Sequence, residues 1–125
     1  MNRHEYRVKL VFALYQSLLL NKEISRSVED NFDDEEKNEY VTVLQNDLII
    51  NKDNYIEEIS LHLKKWTFER LSYLEQAILL VATSEIKKEI ASKNIIIEEA
   101  IRIAKMYCDE KSYQYINGVL DNLGA

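Results

Sequence analysis

Proline is absent from this chain of 125 residues, and glycine occurs only twice. Those two absences exclude a turn-rich β architecture, which needs such residues wherever the backbone reverses or enters left-handed φ. Abundant Leu, Ile, Glu and Lys point instead to helices. Cysteine occurs once, as Cys108, so there is no internal disulfide framework, and the expected location is a reducing cytoplasm. Cys108 itself is expected to be a buried thiol packing as a small hydrophobe. No run approaches the roughly 18 uninterrupted apolar residues of a membrane-spanning helix; the longest, around 11–15 and 78–82, are short and amphipathic. Gln16 breaks the first apolar run and no small-residue cleavage site follows, so the N-terminus does not read as a secretory signal.

Groups that carry chemistry are equally scarce. His4 and His62 stand alone, with no acidic or cysteine neighbour at ligand spacing. There is no glycine-rich loop to cradle phosphates. The acidic run Asp33-Asp34-Glu35-Glu36 lacks the glycine and the alternation of a calcium loop and reads as a solvated helix start. An enzyme is therefore not expected, and no cofactor or metal is implied.

Charge is present but unevenly placed. The formal net charge is −6, which by itself discourages nucleic-acid binding. Residues 1–27, however, carry five basic and two acidic groups, residues 28–63 two basic and eleven acidic, and residues 64–125 nine of each. A mildly basic N-terminus on an acidic body is compatible with a local anion-binding face.

Apolar spacing predicts an all-α chain. A first helix over residues 3–20 would bury Val8, Val11, Phe12, Tyr15, Leu18 and Leu19. The polar stretch 21–38 reads as a connection with one short helical turn, Ser27 and Asp30 resembling a helix start. A second helix beginning near Asp34 or Glu35 carries Tyr40, Val43, Leu44, Asp47 and Leu48. Asn51-Lys52-Asp53-Asn54 is expected to turn the chain. A third helix would then bring Tyr55, Ile56, Ile59, Leu63 and Trp66 inward, with Thr67 as N-cap of the next element. Helical spacing resumes over residues 70–90, ends at Ser92-Lys93-Asn94, and returns over 95–106 and 113–123, with Gly124 at the C′ position of the last helix. Gly118 lies inside that last helix, where glycine costs about 1 kcal/mol against alanine. A close crossing with a neighbouring helix is the expected reason, with Asn117 satisfying a backbone group there.

Nucleic-acid binding has modest support from the residues alone. Arg3 and Arg7 lie four apart, on one helical face, with Tyr6 and Lys9 nearby. Phosphates call for flexible cations, and single-stranded RNA adds aromatic rings on which bases stack. Of eight tyrosines, Tyr107, Tyr113 and Tyr115 cluster around the last inter-helix connection. Spacing alone fits half-buried core tyrosines with wet hydroxyls better than it fits a stacking surface.

Three ordered blocks then resemble the NusB family of bacterial transcription antitermination factors. The first is Trp66-Thr67-Phe68-Glu69-Arg70-Leu71, continuing through Leu74-Glu75-Gln76-Ala77-Ile78-Leu79 to Glu85-Ile86. The second is Ile97-Glu98-Glu99-Ala100-Ile101-Arg102-Ile103-Ala104-Lys105. The third is Ser112-Tyr113-Gln114-Tyr115-Ile116-Asn117-Gly118-Val119-Leu120-Asp121. Arg3, Arg7 and Ala13-Leu14-Tyr15-Gln16 extend the resemblance across nearly the whole chain. It implies a single non-catalytic domain of six or seven helices in two small helical subdomains. It further implies pairing with the ribosomal protein NusE, binding of single-stranded boxA-type RNA from ribosomal RNA operons, and action on the transcription elongation complex.

By the same resemblance, Arg3, Arg7, Tyr107 and Tyr115 fall on RNA-contacting positions, and Lys9 and Lys111 join that set as nearby cations. Glu75, then Glu69, are the expected contacts to the basic protein partner. Departures from the family pattern are Glu5 among the N-terminal cations, Leu80 for a basic residue, Ser84 for an aromatic one, Glu98-Glu99 for Asn-Glu, and Lys111 for an acidic one. The thinner cation cluster predicts weaker RNA binding with a shallower salt dependence. It also leaves room for a helical interaction module without RNA recognition. The helical domain of a larger ribosomal RNA methyltransferase is a more remote alternative, because no catalytic domain follows the last helix.

Overall fold

The computed structural model describes residues 1–124 and contains six α-helices with no strand among them. They are α1 (Arg3–Leu20), α2 (Ile24–Asn31), α3 (Glu39–Ser60), α4 (Tyr73–Lys87), α5 (Lys93–Tyr107) and α6 (Ser112–Asn122), with single 3₁₀ turns at Asp34–Glu36 and Phe68–Arg70. The all-α expectation holds. Helix α2 packs on both α1 and α3, α5 packs on α6, and α4 touches α1, α3, α5 and α6. Every residue of α4 from Gln76 to Ile86 is buried, as a helix surrounded on all sides must be. The apolar period Leu71, Leu74, Ile78, Val81, Ala82 and Ile86 predicts one buried stripe, so the burial of Gln76, Thr83, Ser84 and Glu85 as well is a correction.

Several local expectations are corrected. The buried face of α1 is Arg7, Leu10, Val11, Ala13, Leu14 and Ser17, while Leu19 is 47% exposed. Of the predicted stripe only Val11 is fully inside; the inner face is instead centred on Leu10 and Leu14, with Arg7, Ala13 and Ser17 beside them, and packs on α2 and α4. Ser27 is not a helix start. It lies within α2, and its hydroxyl donates to the Ala13 carbonyl, locking α2 onto α1. The second long helix starts at Glu39, behind the Asn38 cap, whose side chain accepts from the Val41 N–H at 3.0 Å.

Asn51-Lys52-Asp53-Asn54 does not turn the chain, since α3 continues through it to Ser60. Its inward stripe includes polar members. Asp47 accepts from Asn51 at 2.9 Å, from the Tyr55 hydroxyl at 2.7 Å and from Ser84 of α4 at 2.6 Å. Those donors make a buried carboxylate tolerable, and Ser84, the departure from an aromatic, is one of them.

Trp66 is 53% exposed, not inward. Thr67 precedes only a 3₁₀ turn and makes no side-chain cap bond. The operative N-cap is Ser72, in a reciprocal box with Glu75 that is legible as Ser72-Tyr73-Leu74-Glu75. Gly118 is exposed, and a Cβ built on it would meet nothing within 4 Å. There is no close crossing, and Asn117 is exposed with no side-chain hydrogen bond among the described residues. Gly124 has no positive φ. The end of α6 is satisfied instead by lysines: Lys93 donates to the carbonyls of Asp121 (2.8 Å) and Leu123 (2.7 Å), and Lys87 to that of Gly124 (3.0 Å).

Candidate nucleic-acid interface

The N-terminal cations do not form one exposed cluster. Asn2 and Glu5 close a capping box at the start of α1, so Glu5 serves the helix end. Arg3 is exposed and lies over the Tyr40 ring, 4.5 Å from its centroid. One turn on, Arg7 is 3% exposed. Its Nε and one terminal nitrogen donate to the two Glu85 oxygens at 2.8 and 2.6 Å, and the other terminal nitrogen donates to Glu99 at 3.2 Å. Burial opposes the Arg7 charge, but the paired bonds to Glu85 and the nearby carboxylates outweigh it and raise its pKa. Burial, then the Glu85 charge, pushes the Tyr40 phenol far up. The expectation that Arg7 meets phosphate is therefore corrected: its donors face inward, and it anchors α1 to α4 and α5.

Lys9 is held too. Its Nζ donates to both Glu36 oxygens, at 2.8 and 2.7 Å, and stands 5.3 Å from the Phe32 ring centroid. This pair ties α1 to the 3₁₀ turn at Asp34–Glu36. Of the three N-terminal cations proposed for RNA, Arg3 alone is exposed and unpaired with a carboxylate among the described residues.

Aromatic residues assemble at the other end of α1. Tyr107, at the end of α5, is 48% exposed and stands edge-on to Phe12, with centroids 5.0 Å apart. Phe12 in turn is 6.2 Å from Tyr15. Together with Tyr73 these rings line an open groove of about 710 Å³ that also reaches Glu75, Cys108 and Ser112. Phe12 and Tyr15 were expected in the core, and Tyr73 was not singled out. Phe12 and Tyr15 are half-buried, because the inner face of α1 is centred on Leu10 and Leu14 instead. A neighbouring cleft of about 600 Å³ is lined by Trp66, Arg70, Glu75, Lys111 and Tyr115, with Asp109 and Glu110 also on its wall.

Glu75 lies between the two depressions and is half-buried. It accepts from the Ser112 hydroxyl at 2.5 Å and from the Ser72 backbone N–H at 2.8 Å. Burial would raise its pKa, but hydrogen bonds from Ser112, Tyr115 and Ser72 prevail and hold it below the usual carboxylate value. Burial and the adjacent Glu75 carboxylate push the Tyr115 phenol upward. Glu75 thus fastens the start of α6 to the start of α4 while keeping an edge on both depressions. Lys111 is exposed at the N-cap position of α6. Glu69 is exposed on the Phe68–Arg70 turn and borders a separate shallow surface with Glu57, Glu58 and Leu61.

The fold brings Tyr107, Tyr115, Lys111 and Glu75 onto adjoining surfaces; Arg3 lines neither depression, and Glu69 lies apart. Cys108 caps α5 and is half-buried. Burial, Glu75 and Asp109 push its thiol up to about 11, which leaves it protonated and unreactive at neutral pH. No three acidic, histidine or cysteine side chains among the described residues are grouped to hold a metal ion. No described helix is long and apolar enough to cross a membrane.

Comparison with known proteins matches the chain to a family. The chain is 40% identical over 126 residues to the transcription antitermination protein NusB of Bacillus cereus, covering 98% of this chain and 97% of that one. The Bacillus anthracis protein of the same name is also 40% identical. Among solved structures, Thermotoga maritima NusB superposes with a TM-score of 0.87 at 29% identity, covering 97% of this chain and 89% of that one. The same fold occurs, at TM-score 0.77 and 23% identity over 97% of this chain and 96% of the other, in a complex described as antitermination factors NusB and NusE with double-stranded RNA. The NusB family model matches residues 1–125, and the chain belongs to that family.

Proposed function

We propose that this protein is a non-catalytic transcription antitermination factor that binds single-stranded boxA-type RNA together with the ribosomal protein NusE, in support of ribosomal RNA operon transcription in the cytoplasm. The observation that carries the proposal is the family match along the whole chain, combined with exposed aromatic and cationic side chains on adjoining depressions. A protein of the same fold has been crystallised with NusE and double-stranded RNA. Tyr107 and Tyr115 are the proposed stacking residues, and Arg3 and Lys111 the proposed phosphate contacts. Glu75, flanked by the apolar walls of both depressions, is the proposed meeting point with a basic partner, and Glu69 a peripheral one.

Titration of a labelled boxA-type oligonucleotide at about 50 and about 200 mM salt, with and without NusE, tests this function. Affinity falling with salt and rising with NusE is the expected result; no binding under any of these conditions would refute it. Arg3→Ala should reduce the salt slope by roughly one, as for one lost phosphate contact.

A second function is favoured by a specific feature, the engagement of Arg7 and Lys9 with carboxylates. A protein with so few free N-terminal cations would serve as a partner-binding module alone. Tight NusE binding to which RNA adds nothing would identify that case.

A further inference from the structure

Trp66 is the single tryptophan of the chain, and it stands half-exposed on the connection between α3 and α4. Aromatic area of that size is normally buried, so its exposure calls for a cause outside the fold. The cations around it are unusual as well. Of the sixteen lysines and arginines, Arg7, Lys9, Lys22, Arg26, Lys37, Lys87 and Arg102 are ion-paired. Lys93 is bonded to carbonyls, and Arg3 and Lys105 lie over tyrosine rings. Four of the remaining six, Lys64, Lys65, Arg70 and Lys111, flank Trp66 along its two adjoining clefts, and none is paired among the described residues. In a protein of net charge −6, that concentration of free cations marks a place for an anion.

One of the two clefts is a groove of about 300 Å³ between the 61–67 connection and α6, and no carboxylate lines it. Its walls include His62, Lys64, Lys65, Trp66 and Tyr115, and its floor is Gly118. Gly118 has no packing role, since nothing lies within 4 Å of its Cβ position. The helix accepts the cost of glycine, and the Asn122 side chain donates to the Gly118 carbonyl at 2.8 Å. A missing side chain on the floor of an aromatic, cationic groove opens the α6 backbone to whatever enters.

We propose that this groove is a nucleotide subsite for single-stranded RNA, with a base stacked on Trp66, its sugar seated over Gly118, and Lys64 and Lys65 on the flanking phosphates. Tyr115 lines both this groove and the cleft beside Glu75, so the subsite lengthens the RNA path proposed above and rests on that function. The ring supplies a face for any base, and the lysines supply sequence-independent attraction.

Because Trp66 is alone, its fluorescence reports directly on the groove. The experiment titrates the full-length protein with a labelled boxA-type oligonucleotide, following RNA anisotropy and tryptophan emission together, with and without NusE. Emission should be quenched in step with binding. Trp66→Ala should weaken binding by about five- to a hundredfold, the range for one lost base stack. A Lys64→Ala, Lys65→Ala double variant should lower the salt slope by about 1.4. Gly118→Leu should fill the groove and weaken RNA binding while leaving the circular dichroism of the free protein intact and its melting temperature undiminished.

Binding by anisotropy with unchanged emission, and with Trp66→Ala and Gly118→Leu binding like the parent, would overturn the subsite and leave the RNA-binding function standing. Emission that responds to NusE alone and not to RNA would overturn it in favour of a protein-docking groove. Absence of RNA binding by the parent protein, with and without NusE, would remove the function and the subsite together.

Discussion

Arg3 and Arg7 are one helical turn apart on α1, yet they do opposite work. Arg3 reaches solvent over a tyrosine ring, whereas Arg7 is enclosed with Glu85 and Glu99. Arg7→Ala should leave the Glu85 carboxylate buried without its cation, a change that typically destabilises by about 3–5 kcal/mol. Chemical denaturation of that variant checks it; a loss below about 1 kcal/mol would mean that Glu85 is rescued by solvent. An Arg7→Ala effect on RNA binding measured without this control would be mistaken for a lost phosphate contact. Cys108 makes a second residue-level case. Its pKa, moved from 9.0 to about 11, leaves roughly a hundredfold less thiolate at neutral pH. Alkylation should be slow in the native protein and should accelerate on unfolding. Neither environment is visible in sequence, where Arg7 sits among basic residues and Cys108 has no polar neighbour but Asp109.

At the scale of the element, one helix start is spelled out in the sequence, while those expected at Ser27, Glu35 and Thr67 lie elsewhere. Ser72 and Glu75 state their capping box in four letters, whereas α1 presents apolar residues on more than one face, so its inner face is not legible. Glu75 serves both its own helix and α6, through Ser112. Its folded pKa lies below the ordinary carboxylate value, so the stability it contributes is present above the unfolded pKa and is lost as pH falls through the folded one. Glu75→Gln should therefore lower the melting temperature near pH 7, and the gap from the parent should close as the pH falls below the ordinary carboxylate range and through the folded pKa. An undiminished gap in acid would show that the carboxylate charge is not what holds α6. For α6 itself, Gly118→Ala should stabilise by up to about 1 kcal/mol, since the new methyl meets open space. Thermal melts decide this, and a fall in melting temperature would contradict the open surroundings of that residue.

At the scale of the whole molecule, α4 is the common neighbour of α1, α3, α5 and α6. Polar ties, Asp47 with Ser84 and Arg7 with Glu85, fix its angular setting where apolar packing alone is non-directional. Charge is sorted on the same scale. Carboxylates from the acidic middle of the chain and from α4 and α5 pair with seven of the sixteen cations, including four of the five in the basic stretch 1–27. Four of the six cations left free lie beside Trp66, remote in sequence from the basic N-terminal stretch.

Composition and periodicity were sufficient for the helical class, because an α-helix satisfies its own backbone and needs only a local pattern to form. The ordered blocks around Trp66, Ile97 and Ser112 were sufficient for the family. Which cations are free, which tyrosines are exposed, and why Gly118 is a glycine depend on residues far along the chain that meet only after packing. Glu85, which pairs with Arg7, lies 78 positions from it along the chain. Local sequence carries no record of such partners, so the surface chemistry of this protein was decided by its tertiary structure.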